Sequence, residues 1–153
     1  MDTQSTIVHE SIDEWAGDWL STRTREHCLI RVSADETKGA FSVVEIVSDP
    51  GDGTNMHLHD NEDEHIVVVE GTARIAYGDR TFDAPAGMSV SLTRGIPHAW
   101  ANMSSERLRM VIICTPGGVE ELLRIISRGG DLDFPSLAAR FGTRFVGPGL
   151  TEC

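Results

Sequence analysis

Three histidines and one glutamate stand at positions where they could bind a metal ion. His57 and His59 are separated by one residue, and Glu64 follows five residues after His59. A fourth candidate, His98, lies beyond a second turn marked by glycine and proline. In a β-strand, His57 and His59 point to the same face, about 6.5 to 7 Å apart along the chain. Imidazole and carboxylate ligands suit Fe, Mn, Ni, Co, Cu or Zn, and not Ca or Mg. The sequence therefore predicts a divalent transition-metal site.

The spacing of these residues resembles the two sequence motifs of the cupin family. The first motif, G(X)5HXH(X)3,4E(X)6G, is matched with every spacing kept by Gly51, His57, His59, Glu64 and Gly71. The second motif, G(X)5PXG(X)2H(X)3N, is matched by Gly87, Gly95, His98 and Asn102. Thr93 replaces the proline of this motif, although Pro97 still stiffens the turn before His98. The resemblance implies that His57, His59, Glu64 and His98 are the metal ligands.

A wider likeness covers most of residues 37 to 150. The runs KGAFSVVE, NEDEHIVVVEG, TPGGVEELL and RFGTRFVGPGL resemble the single-domain bacterial cupins called quercetin 2,3-dioxygenase-like. That group includes proteins of unknown substrate, and a fold by itself does not name a reaction.

The acidic residues around Glu64 are distinguished by strand parity. Glu64 and Ile66 share one face of the predicted strand, whereas Asp63 and His65 share the other. The motif spacing also selects Glu64. Residues 60 to 62, including Glu62, are predicted to form a solvated loop.

Glu45 is the second candidate for a catalytic carboxylate, beside Glu64. It alternates with Phe41, Val43 and Val47, so a carboxylate lies on an otherwise apolar strand face. If this face lines the cavity, loss of hydration would raise the pKa of Glu45 and suit it to proton transfer. If the face points outward, Glu45 contacts water.

Three more side chains are candidates for the cavity wall. Trp100 shares strand parity with His98 and Asn102, which favours an aromatic wall beside the metal, with plain core packing as the alternative. Tyr77 and Arg74 are also predicted to line the pocket.

A single domain of residues 1–153 is predicted. Residues 1–26 form an arm with a helical turn from Ser11 to Trp19. Residues 27–115 form short strands with Gly/Pro/Asp turns, typical of a sandwich or barrel. The cupin resemblance implies an all-β jelly roll, the double-stranded β-helix, with the metal inside. Residues 116–153 are predicted to hold two short helices, within VEELLRIISR and PSLAARFG, and an extended tail.

The composition restricts the partners. A formal net charge of −11 argues against a nucleic-acid or anionic-membrane partner, because phosphates would be repelled. No run of apolar residues reaches the ~20 needed to span a membrane. The first twenty residues contain no apolar core of a secretory signal. Three cysteines without metal-type spacing are typical of a reducing cytoplasm, so we expect a cytoplasmic protein.

An open metal site of this kind is typical of an enzyme. We hypothesise a dioxygenase-type oxidoreductase in which a small enolic or aromatic substrate loses a proton at the metal and reacts with O₂. Glu64 would be a ligand and proton acceptor. The alternatives are a non-redox isomerase, lyase or cyclase, and a non-catalytic small-molecule binder. A homodimer is predicted, because the exposed sheet edges need cover and related cupins are often dimers.

Overall fold

A computed structural model describes residues 17–151. In chain order its elements are β1 (Leu20–Arg23), β2 (Glu26–Val32), β3 (Ser42–Ser48), β4 (Met56–His59), β5 (Asp63–Glu70), β6 (Thr72–Tyr77), β7 (Arg80–Pro85), β8 (Ser89–Leu92), β9 (His98–Ala101), β10 (Leu108–Thr115), α1 (Glu120–Arg128), α2 (Phe134–Ala139) and β11 (Thr143–Gly147). Within this range no helix has the length and apolar character required to cross a bilayer.

The strands form two antiparallel sheets. The first sheet has the order β1-β2-β3-β10-β5-β8, and the second has the order β11-β4-β9-β6-β7. Neighbours in each sheet are often distant in sequence, as in the pairing of β10 with both β3 and β5. The predicted all-β jelly roll is confirmed.

The core lies between the two sheets and follows from alternation along the strands. On β10, Leu108 and Met110 are fully buried and lie in one cluster with Ile66 of β5 and Ile75 of β6. The intervening residue of β10, Arg109, points to the outer face. The inward residues of the first sheet therefore supply one wall of the interior, and those of the second sheet supply the other.

The first sheet begins inside the stretch predicted to be an arm. Leu20–Arg23 forms β1 and pairs with β2, with Leu20 opposite Cys28. The predicted helical turn from Ser11 to Trp19 lies outside the described residues except for its last three positions, of which none is helical.

Helix α1 is fixed to the barrel by its first residue. The Glu120 side chain is fully buried and accepts hydrogen bonds from the backbone N–H groups of Ala34 and Gly118 at 2.6 and 2.8 Å. This contact places the apolar side of α1, with Leu122 and Leu123, over the interior. The tail that follows α2 forms β11, which pairs with β4.

Candidate metal centre

The three predicted histidine ligands lie together in the second sheet. His57 and His59 are on the same face of β4, and His98 of β9 is the register partner of His57. The three side chains are buried, and one ring nitrogen from each lies within 4.8 Å of the others. The structure therefore gathers three imidazoles around one point.

Glu64 reaches the same point from the first sheet. Its Oε1 atom lies 3.2 Å from Nε2 of His59, and its Oε2 atom lies 3.2 Å from Nε2 of His98. Both Nε2 atoms are buried and have no hydrogen bond of acceptable geometry with a described residue. Buried polar atoms are normally satisfied, so a cation between them explains the arrangement.

The opposite nitrogen of each ring is held by the protein. Nδ1 of His57 donates to the Asn55 carbonyl at 2.7 Å, and Nδ1 of His98 donates to the Ile96 carbonyl at 3.1 Å. A carbonyl only accepts, so Nδ1 carries the hydrogen and the Nε2 lone pair faces the centre. This outer-side hydrogen bond is the usual support of a metal-bound histidine.

Glu62, which was not among the predicted site residues, contacts the ring of His59. Its Oε1 atom lies 2.8 Å from Nδ1 of His59, and Oγ1 of Thr143 lies 2.9 Å from the same nitrogen. The prediction that Glu62 belongs to a solvated loop is wrong, because this residue is only 4% exposed. The signal in the sequence that could have indicated it is its position three residues after His59.

The pKa values of these groups follow from burial and from their neighbours. Burial, with the nearby His98, lowers the pKa of His57 to about 4. Burial also opposes the charge on His59, but the Glu62 and Glu64 carboxylates outweigh it and raise the pKa of His59 to about 10. Burial disfavours the Glu64 carboxylate, yet the adjacent His59 and His98 rings hold its pKa well below the ordinary value.

These shifts predict the pH dependence of the metal-free protein. An unfolded histidine titrates near pH 6.5. The contribution of His59 to stability is complete below pH 6.5 and is lost as the pH rises toward 10. The contribution of His57 is present above pH 6.5 and is lost as the pH falls toward 4. Melting of the chelator-treated protein is expected to be highest near pH 6.5 and to fall on both sides.

The alkaline side of this profile has a specific control. His59→Asn removes the titrating ring, and its metal-free form should lose less stability between pH 6.5 and 9 than the parent. One proton changes stability by about 1.4 kcal/mol per pH unit. Equal slopes for the parent and the variant would show that His59 is not the group responsible.

Glu62→Gln is expected to weaken metal binding about 10- to 100-fold, the usual cost of losing an outer support of a ligand. Gln keeps the size of the side chain but removes the charge beside His59. Asp63→Asn is the matched control, because Asp63 points outward to Arg94. Competition with a chromophoric chelator measures both affinities. Equal loss in the two variants would contradict a role of Glu62 in supporting His59.

The structure does not place the predicted catalytic residue Glu45 in the cavity. Val44 and Ile46 line the interior cavity, and Glu45 between them points to the outer face of β3. It is nevertheless only 2% exposed, because it accepts hydrogen bonds from Arg31 at 2.7 Å and Arg109 at 2.5 Å. The two arginine side chains shield the Glu45 carboxylate from water, and the carboxylate does not line the cavity.

The three predicted wall residues have different positions. Trp100 lines the cavity beside the histidines. Tyr77 of β6 is the register partner of His98 and packs on the core, but it is not among the cavity-lining residues. Its hydroxyl accepts a hydrogen bond from the Thr93 N–H at 3.3 Å. Arg74 is not in the cavity, because it alternates with inward residues and forms an exposed ion pair with Asp83. The pocket predictions for Tyr77 and Arg74 are therefore wrong.

A cavity of about 340 Å³ lies beside the histidine cluster. His57, His59 and Glu64 form part of its wall, and most of the remaining wall is apolar. The helices α1 and α2 contribute to it, for example through Leu123 and Phe134. A volume of this order accommodates a small organic molecule.

Glycine positions of the first motif have steric reasons in this fold. Gly71 lies in the turn between β5 and β6 with φ of 78°, a left-handed conformation that favours glycine. A Cβ atom at this position would also collide with the Arg107 carbonyl oxygen. The turn that follows the Glu64 strand therefore requires glycine.

Comparison with known proteins agrees with the site and the fold. Residues 44–114 match the family described as the cupin domain. The quercetin 2,3-dioxygenase of Bacillus subtilis (strain 168) is 24% identical over 107 residues, which are 70% of this chain and 32% of that enzyme. The chain spans 18% to 32% of the length of the characterised relatives that it matches.

Solved structures share the fold at low sequence identity. KdgF from Halomonas sp. superposes with a TM-score of 0.63 and 14% identity, covering 72% of this chain and 96% of that one. The polyketide cyclase RemF from Streptomyces resistomycificus gives a TM-score of 0.60 and 18% identity, covering 71% and 80%. The fold and the buried histidine cluster define a metal-dependent jelly-roll protein. Residues 44–114 match the cupin domain, and the histidine cluster is a site for a divalent transition metal.

Proposed function

We propose that this cupin is a dioxygenase-type oxidoreductase that acts on a small enolic or aromatic substrate. The observation that carries the proposal is a cluster of three imidazoles and one carboxylate, of which His57, His59 and Glu64 lie on the wall of a largely apolar cavity. The similarity to a quercetin 2,3-dioxygenase supports it, although that similarity covers only 32% of the enzyme.

The charge of the ligand set suits an enolate. Three neutral imidazoles and the Glu64 carboxylate would leave a divalent metal with a net charge of +1 and with positions open to substrate. When bound, such a metal supplies Lewis acidity, and a redox-active one also supplies electron transfer to O₂.

The protein's own residues would bind and orient the substrate. The Nδ1 hydrogen bonds of His57 and His98 fix the two rings, so that the ligand geometry does not relax when the substrate arrives. Glu64 is buried with its carboxylate between two Nε2 atoms, where it would accept the enol proton. The apolar wall formed by Ile112 and Leu123 would exclude water from the reacting centre.

The proposed reaction balances without an added reductant. One molecule of O₂ adds across the enol carbon–carbon double bond, the carbon–carbon and oxygen–oxygen bonds break, and one carboxylic acid and one ketone or aldehyde form. Both oxygen atoms end in the organic products, and the substrate supplies all the electrons.

Oxygen uptake tests this function. The protein is purified without a histidine tag, loaded separately with Fe(II), Mn(II), Ni(II) or Co(II), and screened against enolic and catecholic substrates in an oxygen electrode. Incorporation of two ¹⁸O atoms from ¹⁸O₂ into the products supports the proposal. Turnover that is retained with Zn(II) and without oxygen would instead establish a non-redox isomerase, lyase or cyclase.

Two expectations about the protein's state belong to the same proposal. The homodimer stays a prediction, and light scattering behind a sizing column measures it directly. The cytoplasmic location also stays a prediction; it agrees with Cys28 and Cys114, which are free, buried thiols.

A further inference from the structure

A second polar group lies on the wall of the cavity, away from the metal centre. Among the described cavity-lining residues, Arg23 and Glu26 are the only charged side chains besides the metal cluster. Both come from the β1–β2 hairpin and lie within residues 1–26, the stretch that was predicted to be an arm.

The Arg23 guanidinium is held in one orientation by two buried carboxylates. Nε and Nη2 donate to the two oxygens of Asp52 at 3.0 and 3.1 Å, and Nη2 also donates to Glu26 at 2.5 Å. Glu26 is 2% exposed, and Asp52 is fixed in turn by the Ser48 hydroxyl at 2.8 Å. A guanidinium bound on this side is preorganised, so little freedom is lost when it binds a ligand.

The remaining nitrogen of Arg23 is available to a ligand. Nη1 donates to no acceptor in the described part of the chain, although it carries two N–H groups. The Arg23 side chain is 38% exposed, and its Cζ atom lies 5.6 Å from the centre of the Trp100 ring. Arg23 and Trp100 both line the cavity, so the guanidinium and the indole form one continuous part of its wall.

Trp100 connects Arg23 to the histidine side of the cavity. Trp100 and His98 are two residues apart on one face of β9. The Arg23 guanidinium lies over the Trp100 ring, and both residues line the cavity. A ligand that reaches both the guanidinium and the histidines therefore has the indole beside it.

The local charge decides which kind of ligand group fits. The Arg23 guanidinium already has two carboxyl groups, those of Glu26 and Asp52, on one side. A carboxylate or phosphate would be repelled by Glu26 and Asp52, whereas a neutral oxygen can accept a hydrogen bond from Nη1.

We propose that Arg23 forms a distal subsite that binds a neutral oxygen of the substrate, such as a phenol, ketone or ether, while the enol end lies at the metal. The metal end of this arrangement rests on the proposed function. The substrate class is thereby narrowed to a mostly apolar enol that carries a neutral oxygen apart from its chelating end.

Binding without turnover tests the subsite. The full chain is loaded with Zn(II) and titrated without oxygen, by calorimetry, with 3-hydroxyflavone, 3,4′-dihydroxyflavone and the 4′-carboxylate analogue. The 4′-hydroxyl is expected to tighten binding about tenfold, as one good hydrogen bond does. The 4′-carboxylate should bind no better than the parent flavone.

Two variants of Arg23 separate binding from stability. Arg23→Met should abolish the tenfold gain, and Arg23→Lys should abolish it while keeping a positive charge beside Glu26 and Asp52, so that the protein remains folded. Arg80→Met is the matched control, because Arg80 stacks on Phe82 outside the cavity and should retain the gain.

The outcomes distinguish this inference from the proposed function. Loss of the gain in folded Arg23→Lys supports the subsite, even if no oxygen uptake is ever observed. If the 4′-hydroxyl gives no gain in affinity in the parent protein, or the same gain in Arg23→Lys, the subsite is overturned. The proposed metal chemistry is not affected by that result. If no flavone binds the metal-loaded parent, the metal end fails and the subsite is overturned with it.

Discussion

Replacing His98 with alanine is expected to abolish stable metal binding and, with it, all metal-dependent turnover. The side chain is 2% exposed, its Nε2 faces the centre, and its Nδ1 is already bound to the Ile96 carbonyl. Within the described residues only His57, His59 and Glu64 then remain at the centre, and no further histidine or cysteine joins them to replace His98. Loss of a direct ligand should lower the affinity at least about 100-fold, beyond the cost of losing an outer support. Elemental analysis after dialysis and chelator competition measure the change.

His65→Ala is the control for this experiment. His65 is also a strand histidine, but it hydrogen-bonds Ser91 on the opposite face from Glu64 and should retain full metal content. Melting curves of both variants in the presence of chelator establish that each is folded. Stoichiometric metal at parental affinity in the His98 variant would show that the cluster is not the binding site.

Glu45→Gln is expected to lower the free energy of unfolding by about 3 kcal/mol and to leave metal affinity unchanged. The substitution removes the charge that pairs with Arg31 and Arg109, and it leaves two poorly hydrated guanidinium groups facing a neutral amide. For a chain of this length, this corresponds to a fall in melting temperature of about 6 to 12 °C. Urea unfolding of the metal-loaded protein measures the loss.

Asp83→Asn is the matched comparison for Glu45. Asp83 also pairs with an arginine, Arg74, but both side chains are exposed and the pair should contribute little. A fall in turnover without a fall in stability in the Glu45 variant would return Glu45 to the chemistry and contradict its outward position.

The metal-binding side of the fold was predictable because it depends on local spacing. Alternation along β5 separates Glu64 from Asp63, and the structure places Glu64 inward and Asp63 against Arg94. Alternation along β4 likewise places His57 and His59 on one face. These relations hold for any strand and require no knowledge of its neighbours.

The incorrect predictions concern residues whose surroundings are supplied by strands that are distant in the sequence. Alternation on β3 marks Glu45 as sharing a face with Val43 and Val47, but it does not show which face is inside. That face is covered by arginines from β2 and β10. Glu62 is buried beside His59 and Thr143, although Thr143 is more than eighty residues away.

The same limit explains why Arg23 was not recognised. Its chemistry depends on Asp52, Glu26 and Trp100, which converge only when β1 pairs with β2 and the two sheets face each other. In the sequence, Arg23 stands in a polar stretch without strong periodicity. A hairpin that pairs at the edge of a sheet leaves only a weak pattern in the sequence. Arg23 therefore fell within the stretch that was predicted to be an arm.

The strand order determines when the sheets can form during synthesis on the ribosome. The strand β10 lies between β3 and β5, and β11 is the edge partner of β4. The nascent chain therefore has to wait for residues 108–115 before the first sheet can close, and for Thr143 before the His59 ring gains its hydroxyl partner. A chain arrested before residue 108 would therefore leave the facing edges of β3 and β5 without the strand that joins them.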